Sequence, residues 1–306
     1  MLPLPTIPDD FELRMIEMYG PPGKLWLDSL PQLLATCQQR WSLEISSQFP
    51  LSYNYVVSGA TSSGQPVVLK LGYPNPELLS EISALQVYNG RGSVQLLDAD
   101  PEIGVLLLER LIPGTPLLQL DDDQLVTAIT AQVMRELWQP APEGHEFIAV
   151  EKWSEGLQRL RASFNGGCGH FPTQLVEMAE ALFAELLPSM TDVVLLHGDL
   201  HHTNILSAQR RPWLAIDPKG VIGEPAYETG AFLRNPLPDI LEVDDPVGMQ
   251  RRRVDQFAEE LNLDRQRIIG WGIAQAVLSA WWSYEDHGHG WEPALRCAEI
   301  LSKIQK

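Results

Sequence analysis

The chain has 306 residues, 44% of them hydrophobic and 20% charged. That is enough to build two cores and too apolar for a disordered polymer. Its 40 acidic against 22 basic residues give a net charge of -18, which argues against nucleic acid or an anionic membrane as partner and suits a cationic small molecule. Three scattered cysteines, Cys37, Cys168 and Cys297, make neither a disulfide framework nor a zinc knuckle, so a reducing cytoplasm is expected. The opening "MLPLPTIPDD" is proline-broken and acidic, unlike a secretory leader, and no apolar run is long enough to span a bilayer.

In chain order, a loose proline-rich start gives way to a helix in which Leu25, Leu27, Leu30, Leu33 and Leu34 recur up to Arg40. Short β-like segments follow at 41–47, 53–57 and 66–71, with the small-residue stretch "SGATSSG" read as a hairpin tip. A helix is expected from Pro76 to Tyr88, capped by Asn75 with proline at its first position. "SVQLLDAD" and "GVLLLER" read as two further strands, and "LIPGTPLLQLDDD" as a connector. Helical patterns occupy 122–138, 151–163 and 173–187; 204–217 reads as a β-hairpin, and 225–304 is helical again. The expected fold class is α+β and bilobal: a small β-rich first lobe (1–110), a connector with a cleft where it crosses, and a larger helical lobe (111–306).

The chemistry concentrates in "LLHGDLHHTNIL", residues 195–206. His197, His201 and His202 could serve as metal ligands, which would make a metal-dependent hydrolase. A different reading rests on Asp199, Asn204 and Asp217. Their spacing is H-x-D-x-x-x-x-N followed by an aspartate at the end of a hairpin. Phosphoryl transfer needs one carboxylate at the acceptor hydroxyl and hard oxygen ligands for Mg²⁺ at the phosphates. Asp199 suits the first role, Asn204 and Asp217 the second. Upstream, Lys70 lies inside the apolar "VVLKL", where a lysine is costly unless it meets an anion. Glu81, in the next helix, is placed to pair with it and so steady nucleotide phosphates.

"LLHGDLHHTNIL", "WLAIDPKGVIGEPAYETGAFLRNP" and "LLDADPEIGVLLLERLIPGTPL" together resemble the aminoglycoside/hydroxyurea antibiotic resistance kinases, specifically their streptomycin 6-phosphotransferase branch, over roughly residues 45 to 290. The resemblance implies a protein-kinase-like fold and an ATP- and Mg²⁺-dependent transfer to a small-molecule hydroxyl. It implies Asp199 as base, Asn204 and Asp217 as metal ligands, Lys70 as phosphate lysine, and Glu109 to Leu111 as a hinge contacting adenine through backbone groups. The chain departs from protein kinases in lacking G-x-G-x-x-G and in carrying Pro218 in place of the phenylalanine of D-F-G; Lys219 has no assigned role. A kinase of an unrelated metabolite and a nucleotide-binding pseudokinase module are the alternatives, and no obligate protein partner is evident.

For the acceptor, 271–284 is apolar on nearly every side and is expected to be a buried helix. It ends in Trp281, Trp282, Tyr284, Glu285 and Asp286. A guanidinium or ammonium could stack on such aromatics while pairing with the carboxylates. Glu228 and Asp239 are further acidic candidates.

Overall fold

The computed structural model describes residues 7–144 and 146–304; the proline-broken first six residues lie outside them. It divides into two compact units, residues 1–90 with 94–112, and 91–93 with 113–306.

The first unit begins with helices α1 (Asp9–Tyr19) and α2 (Pro21–Trp41), separated by Gly20 at φ 63° with proline at the first position of α2. Strands β1 (Leu43–Gln48), β2 (Tyr55–Thr61) and β3 (Pro66–Leu71) follow. Next come helix α3 (Pro76–Tyr88) and strands β4 (Leu96–Asp100) and β5 (Val105–Glu109). The strands form one antiparallel sheet in the order β1-β2-β3-β5-β4. Trp41 ends α2, so β1 starts later than its sequence pattern suggests. Strand β2 runs through Ser58–Thr61, which shortens the expected hairpin tip. Gly59 is required there: a Cβ would stand 2.7 Å from the Glu44 carbonyl oxygen, beside the bulge in β1.

Strand alternation divides the sheet's side chains between two faces. Tyr55, Val57, Val67, Leu69, Leu71, Val105 and Leu107 form one core with Phe11, Met15, Trp26, Leu27, Leu30 and Leu34 of the first two helices. Lys70, one residue out of phase, is thereby sent to the other face. The Asn75 side chain caps α3 by accepting from the Leu78 amide, as its sequence predicts.

The second unit opens with strand β6 (Pro113–Pro116), helix α4 (Asp123–Leu137), strand β7 (Ile148–Ala149) and helices α5 (Val150–Ser163) and α6 (Thr173–Leu186). Strands β8 (Val194–Leu196), β9 (Ile205–Ala208), β10 (Trp213–Ala215) and β11 (Val221–Gly223) come next. Helices α7 (Pro225–Leu233), α8 (Pro246–Leu261), α9 (Arg265–His287) and α10 (Glu292–Ile304) complete it. The β9–β10 hairpin pairs Trp213 with Ser207 and Ala215 with Ile205, and the connector segment β6 adds to it as a third strand. A second small sheet, β7-β11-β8, contains a parallel pair, Val221 opposite Ile148. Neither β6 nor β7 was expected: one is proline- and glycine-rich, the other two residues long. Helix α9 is buried from Ile268 to Leu278 and again at Ala280 and Trp281, as its all-round apolar sequence predicts. Among the described residues no helix is long and apolar enough to cross a membrane.

Candidate active site

In the first unit, Lys70 and Glu81 are nearly inaccessible, 4% and 7% exposed. The ammonium donates to both carboxylate oxygens, at 2.6 and 2.8 Å. A lysine in an apolar strand is tolerated here because its charge is met from α3. At the end of β5, Glu109 accepts from the Gln95 amide through Oε1 and donates its own amide to the Gln95 carbonyl. Leu111 is buried, and among the described residues its backbone groups have no hydrogen-bond partner, which leaves them able to meet a planar heterocycle edge.

In the second unit, β8 delivers the chain into a loop whose backbone groups are held in large part by the side chains of Glu228, His197 and Asn204. Gly198 adopts φ +84°, and a Cβ there would lie 3.0 Å from the Trp153 ring. The buried carboxylate of Glu228, on α7, accepts from the amides of His197 at 2.6 Å and Gly198 at 2.9 Å. Burial pushes the Glu228 carboxyl up to about 7, against the two amide bonds that favour its charge. Glu228 therefore braces the loop from behind, fully buried and with both carboxylate oxygens taken by loop amides.

His197 is buried, with Nε2 2.8 Å from the Ile216 carbonyl and Nδ1 accepting from the Asp199 amide. That pattern fits the neutral Nε2–H tautomer, and burial pushes the ring down to about 4. His202 is buried too and stacks on Phe232, centroids 4.3 Å apart. His201 is partly exposed, its Nε2 3.7 Å from Asp199 Oδ2. The three histidines thus serve three separate purposes and do not converge as a ligand set. Among the described residues no group of three His, Cys, Asp or Glu side chains is arranged to hold a metal.

Asp199 remains partly exposed, its side chain 29% accessible. Burial works against its ionisation, but His201, Arg234 and Lys219 outweigh that and hold the carboxyl far below the usual carboxylate range. The Asn204 amide nitrogen donates to the Asp199 carbonyl at 2.9 Å, which turns the amide oxygen away from that bond as a free hard donor. The Asn204 carbonyl in turn accepts from the Ile216 amide, tying the loop to the residue before Asp217. Asp217 is exposed and adopts φ 59°, a left-handed conformation that aspartate tolerates better than most residues. An amide oxygen and a carboxylate suit magnesium, which usually takes one or two protein ligands and completes its shell with phosphate and water.

Arg234 was not anticipated. It follows α7, is 9% exposed, and donates to Asp199 Oδ1 at 3.1 Å and Gln275 Oε1 at 2.5 Å. Of the acceptor candidates, Glu285 is held by a bidentate pair with Arg159, at 2.7 and 2.9 Å, while Asp286 and Asp239 are exposed.

The fold is that of a phosphotransferase class. An aminoglycoside phosphotransferase solved with ADP and hygromycin B superposes with a TM-score of 0.63 at 14% identity, over 90% of this chain and 98% of that one. The model of the aminoglycoside/hydroxyurea antibiotic resistance kinase family matches residues 40–287, and the chain belongs to that family. The streptomycin 6-kinase of Streptomyces glaucescens is 32% identical over 95% of both chains. The hydroxyurea phosphotransferase of Kitasatospora aureofaciens is 30% identical over 92% of this chain and 81% of its own.

Proposed function

We propose that the protein transfers the terminal phosphoryl group of ATP to a hydroxyl of a small cationic molecule, a streptomycin-like aminoglycoside, with magnesium as the metal. The observation that carries this reading is the Asp199 carboxylate, paired with Arg234 and partly exposed on a loop that Glu228 and Asn204 brace through its backbone groups. Such a carboxylate can orient an acceptor hydroxyl and take its proton as the oxygen attacks. Asn204 and Asp217 would hold the magnesium. When bound, that ion supplies positive charge against the phosphate oxygens. Lys70, fixed by Glu81, steadies the nucleotide phosphates, and the Glu109–Leu111 backbone meets the adenine. On this reading residues 1–110 handle the nucleotide, while 111–306 carry the catalytic loop and the acceptor site. Family membership supports the reaction class, and the identity with the streptomycin 6-kinase supports the acceptor. Three buried free thiols suit a reducing cytoplasm.

The test is ADP release with magnesium and ATP across streptomycin, related aminocyclitols, hydroxyurea and simple sugars. Streptomycin should give the highest kcat/KM. Hydroxyurea as the preferred acceptor would overturn the aminoglycoside assignment, and no acceptor-dependent ADP at all would overturn the phosphotransferase reading.

A further inference from the structure

We propose that Trp153 and Trp282 form the aromatic wall of the acceptor subsite, taking a cationic, ring-shaped polyol against their faces. This inference rests on the phosphotransferase reading and names where its acceptor is held.

Trp153 lies on the first turn of α5 and reaches the catalytic loop. Its ring would stand 3.0 Å from a Cβ on Gly198, the residue immediately before Asp199. Trp282 lies near the end of α9, and its ring meets Trp153 edge to face, with centroids 5.3 Å apart. Tyr227 backs Trp153 from the other direction at 6.2 Å. Gly156 lies where α5 runs close to α9: a Cβ there would stand 2.5 Å from the Leu278 Cδ1 methyl.

Both indoles remain partly exposed, whereas Trp281 and Trp271 beside them on α9 are buried. A core position would hide these rings as well; exposure next to the Asp199 loop leaves aromatic surface for a ligand. The nearby charge balance favours a cation. Glu155, Glu285 and Asp286 all act on Arg159, and Glu155 also pairs with Lys152. An indole face attracts a guanidinium or ammonium through its quadrupole, and the attraction grows when the ring's surroundings exclude water. Three carboxylates set against Arg159 and Lys152 leave the charge here net negative, with the indoles as the contact surface.

The experiment measures initial rates with streptomycin as acceptor for the wild type, Trp153→Leu and Trp282→Leu, together with calorimetric titration of streptomycin into each protein without nucleotide. Trp282 lies off the catalytic loop, so its variant reports on acceptor binding even if Trp153→Leu disturbs Gly198. We expect the KM and Kd for streptomycin to rise about 10-fold in each variant, the scale of a partly desolvated cation–π contact. The KM for ATP should stay within about 3-fold of wild type, because these residues contribute to acceptor binding alone. Unchanged streptomycin KM and Kd in Trp282→Leu, with the wild type active, would overturn the aromatic wall and leave the functional reading intact. A wild type that phosphorylates no acceptor would overturn both.

Discussion

The guanidinium of Arg234 holds the carboxylate of Asp199, with Nη2 3.1 Å from Oδ1, while Nη1 donates to the amide oxygen of Gln275 on α9. One buried cation thus fixes the orientation of the carboxylate and is itself fixed by a buried glutamine of α9. Replacing it with Arg234→Gln should lower kcat by about 10² with little change in the KM for ATP, as expected when an oriented group loses its support. Arg234→Lys, which keeps the charge without the fork, should recover part of that loss. Equal activity in Gln and wild type, by steady-state ADP release, would show that Asp199 needs no such support.

Asp199→Asn should leave nucleotide binding nearly intact and cut turnover by about 10² or more, the scale of general-base catalysis. Asp217→Ala should abolish magnesium-dependent activity, and zinc should not replace magnesium. His201→Ala should be mild beside either. Single-turnover rates and ATP affinities on the three variants separate these outcomes.

Glu81→Ala removes the carboxylate that meets a lysine only 4% exposed. Breaking one side of a buried pair costs roughly 3–5 kcal/mol, because the remaining charge is stranded. Urea denaturation should register a loss of that order in the first unit. Lys70→Ala should act differently, mainly weakening productive nucleotide binding. A loss under about 1 kcal/mol in Glu81→Ala would mean that Lys70 finds another anion.

The pH dependence of stability follows from two buried groups of opposite sign. His197 falls from 6.5 to about 4 in the folded protein, so the unfolded chain takes up a proton first and stability is lost as pH drops through that window. Glu228 rises from 4.5 to about 7, so the unfolded chain ionises first and stability is lost as pH rises through its window. Between about 4.5 and 6.5 the two slopes oppose each other. Glu228→Gln should unmask the histidine slope, about 1.4 kcal/mol per pH unit relative to wild type. Denaturation curves across that range test it: a difference between the two proteins that does not change with pH would refute the Glu228 shift, and a flat curve in Glu228→Gln would refute that of His197.

Spacing is what singled out the candidate site residues. Lys70 stood out because a charge in an apolar strand demands an explanation, and Asp199, Asn204 and Asp217 because their separations are dictated by one loop and one hairpin. Arg234 was hidden because it reaches Asp199 across 35 positions and "LRNP" reads as a helix end at the surface. The bracing contacts of Glu228 were hidden for a related reason: an acidic residue early in a helix is ordinarily solvated, and nothing local reveals that two loop amides point at it. Strands β6 and β7 escaped because proline, glycine and a length of two residues carry no alternation. The fold class was easier, since the capped helix α3 and the paired strands of the first unit declare themselves through local chemistry.

The parallel pairing of β7 with β11 has a consequence for how this unit is made. Ile148 and Ala149 find their partners only when Val221 and Ile222 have been synthesised, and Leu196 and Leu195 pair with the same strand from its other side. Until then the strand leading into the catalytic loop lacks its β11 partner, and closing so distant a pair is slow. A chain ending between Leu196 and Val221 would therefore carry two open strand edges with apolar residues beside them, a template for intermolecular pairing. Nascent or truncated forms should accordingly depend on chaperones, while the finished chain seals both edges with three residues.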